Sequence, residues 1–213
     1  MLLLPSSVIT EVTPQNKTAT TTIIPRIFKT TLFMPYSSTE LTTSLFNDPE
    51  KEYLTALREL VELNLKALDC VRHIIQRNVE KNLLKNFSYN VVDFEHLYNT
   101  IGFIGIYETM KTFGYTKVDE IGNVFYTPEA EAFGKKIFDV IHNVKDIFGL
   151  DKDYKINCEA IPGETAAAKL MKKDKFFFGD KVVDDLPLYG NQFIPLGIKT
   201  TLVERIRIAS LFD

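Results

Sequence analysis

The sequence predicts an α/β fold, and three observations lead to it. The 213 residues can bury one substantial hydrophobic core, and the apolar share of 45% and the charged share of 25% are typical of globular proteins. Apolar residues recur at helical spacing over several stretches after residue 48. An extended run over 152–161 then leads through a Pro-Gly turn into another helical stretch, which is typical of a strand-turn-helix unit. We therefore expect one domain, with 48–213 as its helical and α/β part.

The composition excludes several classes of protein. The net charge of −3 leaves no overall basic field to hold nucleic acid or an anionic membrane. No stretch approaches the ~20 apolar residues of a membrane span, and the first residues lack the basic region of a signal peptide. Two cysteines are too few for a multi-bridge disulfide framework or a four-thiolate zinc site. The sequence therefore predicts a cytoplasmic protein with neither a membrane nor a nucleic acid as partner.

Residues 1–47 differ from the rest of the chain. They are rich in Thr and Ser, and prolines recur about every ten residues. The β-branched or apolar runs at 20–24 and 30–34 each end near a proline, which predicts short strands or extended segments joined by turns.

A long amphipathic helix is predicted from Asp48 to about Asn82. Asp48 is placed to accept from the free amides of the first turn, and Pro49 suits the first helical position. The apolar positions follow at spacings of three and four: Tyr53, Leu54, Leu57, Leu60, Val61, Ala67, Leu68, Val71, Ile74 and Ile75. Cys70 lies near this stripe, so we expect its thiol to be packed.

A second helix is predicted over about 94–113, with Gly114 as a left-handed cap. Gly102 and Gly105 would lie on one face of this helix, where another backbone could approach closely. Each glycine costs about 1 kcal/mol against Ala in a helix interior.

The third helix is predicted to begin at Thr127-Pro128 and to end at Gly149. The remaining elements are a strand over 152–161 and shorter helices over about 164–173 and 200–210.

The densest cluster of chemically unusual residues lies at 157–170. A strand would place Asn157 and Glu159 on one face and Cys158 on the other. The amides that begin the next helix, together with Thr165, could bind phosphate or another anion, although Glu164 could cap the same amides. The alternative, which spacing alone favours, is an ordinary strand-turn-helix connection. No Gly-Lys-Ser/Thr sequence closes the turn, so it is not a Walker loop.

Other candidate residues have simpler explanations. Cys158 could be a radical or nucleophilic centre, but a lone strand cysteine is more often a small core residue. The amides of Asn191 and Gln192 lie in an apolar stretch and indicate directed hydrogen bonds, to backbone rather than to a ligand. The three histidines fall on separate predicted helices without ligand-like spacing, so we expect no metal site: His73, His96 and His142.

Several motifs occur in the order that a known enzyme family shows. They are 157–170 (NCEAIPGETAAAKL), Lys173-Asp174, 189–196 (YGNQFIPL) and 204–208 (ERIRI), preceded by 100–108 (TIGFIGIYE) with Gly114 and, more weakly, by 22–27 (TIIPRI). On these residues the chain resembles the anaerobic (class III) ribonucleoside-triphosphate reductases from about residue 20 to its C-terminus. The stretch 100–108 is similar to a helix of that family.

The resemblance implies part of a ten-stranded α/β barrel of the glycyl-radical enzyme type. It implies reduction of ribonucleoside triphosphates to deoxyribonucleoside triphosphates, in which a glycyl radical generates a thiyl radical that attacks the ribose. It also implies a homodimeric full enzyme, a radical S-adenosylmethionine activase, ATP and dNTP effectors and structural zinc. The phosphate-binding residues would be those of the turn, and three further residues would line the pocket: Pro162, Gly163, Glu164, Thr165, Ala166, and Asn157, Glu159, Asn191.

The chain departs from the family pattern in its radical residues. No cysteine precedes Cys70, and the glycyl-radical loop and the zinc module would lie beyond Asp213. We therefore expect an internal fragment of the barrel that binds no cofactor alone, and we assign no catalytic residue to it. The alternative is a non-catalytic remnant or split-gene piece that only completes a barrel with other chains. A formate-lyase type of glycyl-radical enzyme is disfavoured by the motifs at 162–165 and 189–195.

Overall fold

The computed structural model of the chain describes residues 48–94 and 96–212. The extended segments predicted within 1–47 lie outside the described residues. The elements in chain order are α1 (Pro49–Glu80), α2 (Lys85–Ser88), β1 (Asn99–Phe103), α3 (Ile106–Thr112), β2 (Thr116–Val118), β3 (Val124–Tyr126), α4 (Pro128–Gly149), β4 (Ile156–Ala160), α5 (Glu164–Phe178) and α6 (Leu202–Phe212), with a 3-10 turn at Gly179–Lys181.

Helix α1 begins as the sequence predicts. The side chain of Asp48 accepts a hydrogen bond from the Lys51 amide at 3.0 Å, which satisfies one free first-turn donor. The apolar stripe is buried only over the first half of the helix, where α1 packs along α4 and β1. Further along, Val71 is 51% exposed, and Cys70 is exposed as well. The expectation that the Cys70 thiol is packed is therefore wrong, because the face of α1 that is covered at this level carries Leu68 and Arg72, and Cys70 lies on the opposite side of the helix.

The predicted helix over 94–113 is a loop, a strand and a short helix instead. Residues 99–103 form β1, and Gly105 adopts a left-handed backbone with φ of 87°, which separates the strand from α3. Gly102 and Gly105 therefore do not share a helix face. The cost of two interior glycines and the β-branched Thr100 and Ile101 favour the strand. Gly114 is left-handed, as predicted, with φ of 75°.

Helix α4 keeps its predicted limits. The hydroxyl of Thr127 accepts from the Ala130 amide, and Gly149 is the last helical residue. A Cβ atom on Gly134 would lie 2.3 Å from the Phe212 ring, so this glycine permits α6 to pack directly against α4.

Strands β1 and β4 form a parallel two-stranded sheet, and β2 and β3 form an antiparallel hairpin. In the parallel pair Asn99 lies opposite Ile156 and Phe103 opposite Ala160, so both carboxyl ends meet at one edge. The strand is shorter than the predicted 152–161, whereas α5 runs five residues beyond the predicted Lys173, to Phe178. The last helix lies two residues later than predicted at both ends.

Two clusters of buried side chains form the interior. The larger, here called the apolar core, lies among α1, β1, α4 and α6 and is centred on Leu65, Phe133 and Ile137. The smaller lies beneath α5 and includes Ile104, Met171 and Tyr189. No helix among the described residues combines the length and the apolar character needed to cross a bilayer.

Candidate functional site

The turn at 162–166 and Asn191 lie together at the carboxyl ends of β1 and β4, whereas Asn157 and Glu159 lie within strand β4. The chain leaves β1 through Gly105 into α3, and it leaves β4 through Pro162-Gly163 into α5. The segment 189–191 lies between these exits. The Gly105 amide donates to the Gly190 carbonyl at 2.7 Å, and the Asn191 side-chain amide donates to the Ile161 carbonyl at 3.0 Å. We call this group, residues 105–108, 161–166 and 189–191, the carboxyl-edge site.

The turn at 162–166 presents backbone donors to solvent. Gly163 is the N-cap of α5 and supplies no side-chain cap, and its carbonyl accepts the first helical bond from Ala167 at 2.8 Å. The N–H groups of a first helical turn have no acceptor within their own helix. Pro162, Glu164, Thr165 and Ala166 are exposed, so this part of the site is open to a ligand.

Strand β4 divides its side chains as predicted. The Asn157 side-chain amide donates to the Glu159 carboxylate, which confirms that these residues share a face. The Oδ1 atom of Asn157 is buried and has no hydrogen-bond partner among the described residues. Cys158 packs against the apolar core, and burial raises the pKa of its thiol to about 11. It is therefore a protonated, half-buried packing residue, in agreement with the simpler interpretation of the sequence.

The preference for a backbone partner for Asn191 is confirmed by its bond to the Ile161 carbonyl. The bond joins the 189–191 segment to the end of β4, 30 residues earlier in the chain. Gln192, the adjacent amide, is exposed.

A buried carboxyl group in the site was missed by the sequence analysis. Glu108 on α3 is 2% exposed, and its Oε1 accepts from the Gly190 amide at 2.9 Å. Its Oε2 has no hydrogen-bond partner among the described residues. Burial raises the pKa of this carboxyl from 4.5 to about 7. The signal available in the sequence was an acidic residue inside the run Ile106-Tyr107-Glu108-Thr109-Met110.

Further polar bonds fix the segments around Gly190. The Tyr189 hydroxyl, from a ring that is 1% exposed, donates to Asp174 at 2.6 Å. The Tyr107 hydroxyl donates to Asp185 at 2.8 Å, and Lys111 forms an ion pair with the same carboxylate. Helix α3 is thereby tied to the chain just before residue 190.

The chain after Asn191 is held from α6. The Arg205 guanidinium donates to the carbonyls of Ile194 and Pro195 at 2.6 and 3.0 Å, and to that of Ile198. The Tyr126 hydroxyl donates to the Phe193 carbonyl. The 189–198 segment therefore accepts hydrogen bonds along its length from Gly105, Tyr126 and Arg205.

The sequence profile of one family, described as anaerobic ribonucleoside-triphosphate reductase, matches residues 29–213. The chain belongs to the anaerobic ribonucleoside-triphosphate reductase family. The resemblance stated on the motifs is thereby confirmed. No curated protein matches the chain.

Solved structures of anaerobic ribonucleotide reductase from Thermotoga maritima share the fold. The complex with dATP and CTP is 33% identical, with a TM-score of 0.72, over 77% of this chain and 27% of that chain. The structure with citrate in the active site is 31% identical, with a TM-score of 0.73, over 84% of this chain and 32% of that chain. The structure with dATP bound in the specificity site has the same identity, TM-score and coverage of this chain, over 29% of that chain.

The fold class predicted from the sequence is confirmed. The helices and strands of the chain form part of the α/β barrel of the glycyl-radical enzyme type. The chain spans 27–32% of the length of the Thermotoga reductase chains that it matches.

The described residues contain no group of three or more His, Cys, Asp or Glu side chains suited to a metal ion. The structural zinc that the resemblance implies therefore has no candidate ligands among them. His96 lies in a loop rather than on a helix, where its ring contacts Asp93 at 2.8 Å.

Proposed function

We propose that this chain supplies the phosphate-binding part of the substrate pocket of an anaerobic ribonucleoside-triphosphate reductase. The observation that carries the proposal is the exposed, uncapped turn at 162–166, which lies at the carboxyl edge of the parallel pair β1–β4. Ligands of α/β folds bind at the carboxyl ends of parallel strands. The Thermotoga reductase in complex with dATP and CTP supports a nucleotide as the ligand class.

The turn has the chemistry that phosphate requires. Free N–H groups and the partial positive charge of the α5 N-terminus attract an anion, and the Thr165 hydroxyl adds a donor or an acceptor. Gly163 has no side chain, so oxygen atoms can reach the backbone closely. Glu164 is exposed and would oppose phosphate unless it points away or accepts a bond from a ribose hydroxyl.

The reaction of the assembled enzyme would be radical reduction at the ribose, in which the 2′-hydroxyl leaves as water and a two-electron reductant outside this chain supplies the electrons. This chain's part in it is to bind and orient the triphosphate, while Asn157, Glu159 and Asn191 offer polar groups near the pocket. We assign the thiyl and glycyl radicals to no described residue. The substrate, the activase, the effectors and the homodimer belong to the same proposal for the whole enzyme.

Replacing Gly163 tests the proposal. A Cβ atom on Gly163 would meet Ile161 side-chain atoms at 3.5 and 3.7 Å, which is ordinary contact, so Gly163→Val is expected to fold. The isopropyl group would obstruct the first-turn amides. Loss of one or two charge-assisted bonds costs about 1.5–3 kcal/mol each, so we expect CTP to bind the full chain at least about tenfold more weakly. A CTP titration followed by the backbone NMR signals of 163–166 measures the affinity and shows whether CTP binds at the turn.

A matched control is Gly149→Val at the end of α4, where a new Cβ atom meets only the Ile156 side chain, at 3.8 Å. This variant should bind CTP as the wild type does, and both variants should keep the wild-type circular dichroism spectrum. Equal CTP affinity in Gly163→Val and the wild type would show that the turn is structural only.

A chain that only completes a barrel with other chains is the second candidate function. The observation that favours it is the exposed aromatic face of α5, where Phe176 is 82% and Phe177 54% exposed. Sedimentation of the full chain with and without CTP separates the two candidates, because association without any nucleotide-dependent NMR shift at 163–166 supports completion alone.

A further inference from the structure

Two hydrogen bonds, joined by the backbone of Gly190 and Asn191, connect α3 to the residue before the turn at 162–166. The first joins the Glu108 carboxyl to the Gly190 amide at 2.9 Å, and the backbone continues to Asn191. The Asn191 side chain then reaches the Ile161 carbonyl at 3.0 Å, one residue before the turn. A further bond, from the Gly105 amide to the Gly190 carbonyl at 2.7 Å, holds the next peptide group, the one that joins Gly190 to Asn191.

Burying the Glu108 carboxyl group lowers the stability of the fold, and its hydrogen bond shows which segment the group holds in place. The side chain is 2% exposed, and of its two carboxyl oxygens one bonds the Gly190 amide while the other has no partner among the described residues. No basic side chain forms an ion pair with it among the described residues. A buried polar group with this little compensation destabilises the fold. The one bond that it makes holds the segment 189–191 in place.

Close packing prevents that segment and the start of the turn from shifting. A Cβ atom on Gly190 would lie 2.2 Å from the Pro195 ring, so this backbone is in contact with its neighbour. A Cβ atom on Gly102 would lie 2.5 Å from the Ile161 side chain, so Ile161 rests directly on β1. The position of Ile161 is therefore fixed by two contacts. Its side chain packs against Gly102, and its carbonyl accepts the hydrogen bond from Asn191.

We infer that Glu108 and Asn191 are positioning residues for phosphate binding, which act on the turn at 162–166 through the backbone of 189–191. This inference rests on the proposed function of the turn. Neither side chain needs to touch the ligand. Backbone donors bind an anion well only if they are held in the bound geometry beforehand, because ordering a loose loop reduces the affinity. The turn has no side-chain cap, so the bond to the Ile161 carbonyl supplies this restraint.

The experiment compares matched variants of the full chain, titrated with tripolyphosphate and followed by the backbone NMR signals of 163–166. Asn191→Ala removes the donor to Ile161, and we expect about tenfold weaker binding and lower N–H order parameters at 163–166. Asn191→Asp keeps the shape but has no N–H donor, so it should not restore the affinity. Glu108→Gln keeps an acceptor for the Gly190 amide and should bind within about twofold of the wild type, whereas Glu108→Leu should lose affinity.

The control for lost stability is Asn123→Ala. Asn123 is 9% exposed and donates to Asp119 at 2.9 Å in the β2–β3 hairpin, outside the carboxyl-edge site. It loses the same side-chain atoms as Asn191→Ala, and its tripolyphosphate affinity should remain that of the wild type. If Glu108→Leu does not fold, the two Asn191 variants decide the question.

The outcomes for this inference and for the proposed function are distinguishable. Wild-type affinity and wild-type order at 163–166 in both Asn191 variants would overturn the positioning role while leaving the phosphate site intact. Absence of tripolyphosphate shifts in the wild type would overturn the phosphate site, and the order parameters of the variants would still decide whether Asn191 positions the turn.

Discussion

The apolar core and the carboxyl-edge site are held together by different forces. In the apolar core, Phe133 has no exposed surface and its ring lies 4.7 Å from Phe113 and 5.4 Å from Tyr53, centroid to centroid. In the carboxyl-edge site, the decisive contacts are single hydrogen bonds: Glu108 accepts one from the Gly190 amide, and Asn191 donates one to the Ile161 carbonyl. Apolar contacts are numerous and weakly directional, whereas each of these bonds has one geometry. The core therefore stabilises the fold, and the site fixes the position of a short turn.

The two regions should respond differently to truncation, and the largest effect is expected in the apolar core. Phe133→Ala should lower the free energy of unfolding by about 3–5 kcal/mol, because it removes a fully buried ring and leaves a cavity beside Phe113. Denaturant unfolding measures the loss. The same truncation at Phe176, which is 82% exposed, should change stability by less than about 0.5 kcal/mol. Comparable losses in the two variants would contradict the assignment of Phe133 to the core.

The difference between the regions also explains what the sequence could predict. Helices α1 and α4 follow from apolar spacing together with the caps at Asp48 and Thr127, which are local signals. Strand β1 is marked locally only by two β-branched residues and its glycine, because the partner β4 that stabilises it lies more than 50 residues later in the chain. Gly102 was recognised as a point of close approach, but it was placed on a helix rather than on a strand.

The candidate site shows the same division. The turn at 162–166 could be located from Pro162-Gly163 and the small residues after it. Glu108 could not be joined to it, since its bond to Gly190 spans 82 residues. Asn191 was recognised as a backbone-bonded amide, while its acceptor, 30 residues away, was not identifiable. The partners of hydrogen bonds between distant segments can be identified only in the folded structure.

The pH dependence of the free energy of unfolding should report on the carboxyl-edge site, through the titration of Glu108. The pKa of Glu108 is raised from 4.5 in the unfolded chain to about 7 in the folded chain, so the stability that its protonated form gives is complete below pH 4.5. As the pH rises to about 7, that stability is lost, by about 3 kcal/mol. Glu108→Gln, which cannot ionise, should show a flatter curve over this range. The free energy of unfolding from urea denaturation, measured at intervals from pH 4.5 to 8, provides both curves.

The groups that face Glu108 do not obscure this difference. The hydroxyls of Tyr107, Tyr126 and Tyr189 have their pKa values raised by burial, so they remain protonated throughout the range. The carboxylate of Asp185, which forms an ion pair with Lys111, also acts on Glu108, and it is present in both proteins. Parallel curves for the wild type and Glu108→Gln would show that Glu108 is not a buried, titrating group.

The smallest of these effects is expected at Gly102, where strand β1 contacts the residue that precedes the turn. Gly102→Ala would place a methyl group 2.5 Å from the Cδ1 and Cγ2 atoms of Ile161, whose β-branched side chain adapts poorly. Ile161 is half-buried and can yield in part, so we expect a loss of about 1–3 kcal/mol in the free energy of unfolding. The double variant with Ile161→Ala should recover part of that loss, because the shortened side chain makes room for the methyl group. A double-mutant cycle by denaturant unfolding measures the coupling. Strict additivity of the two changes would mean that Gly102 and Ile161 are not in contact, and that β1, the strand that lines the apolar core, does not support the turn.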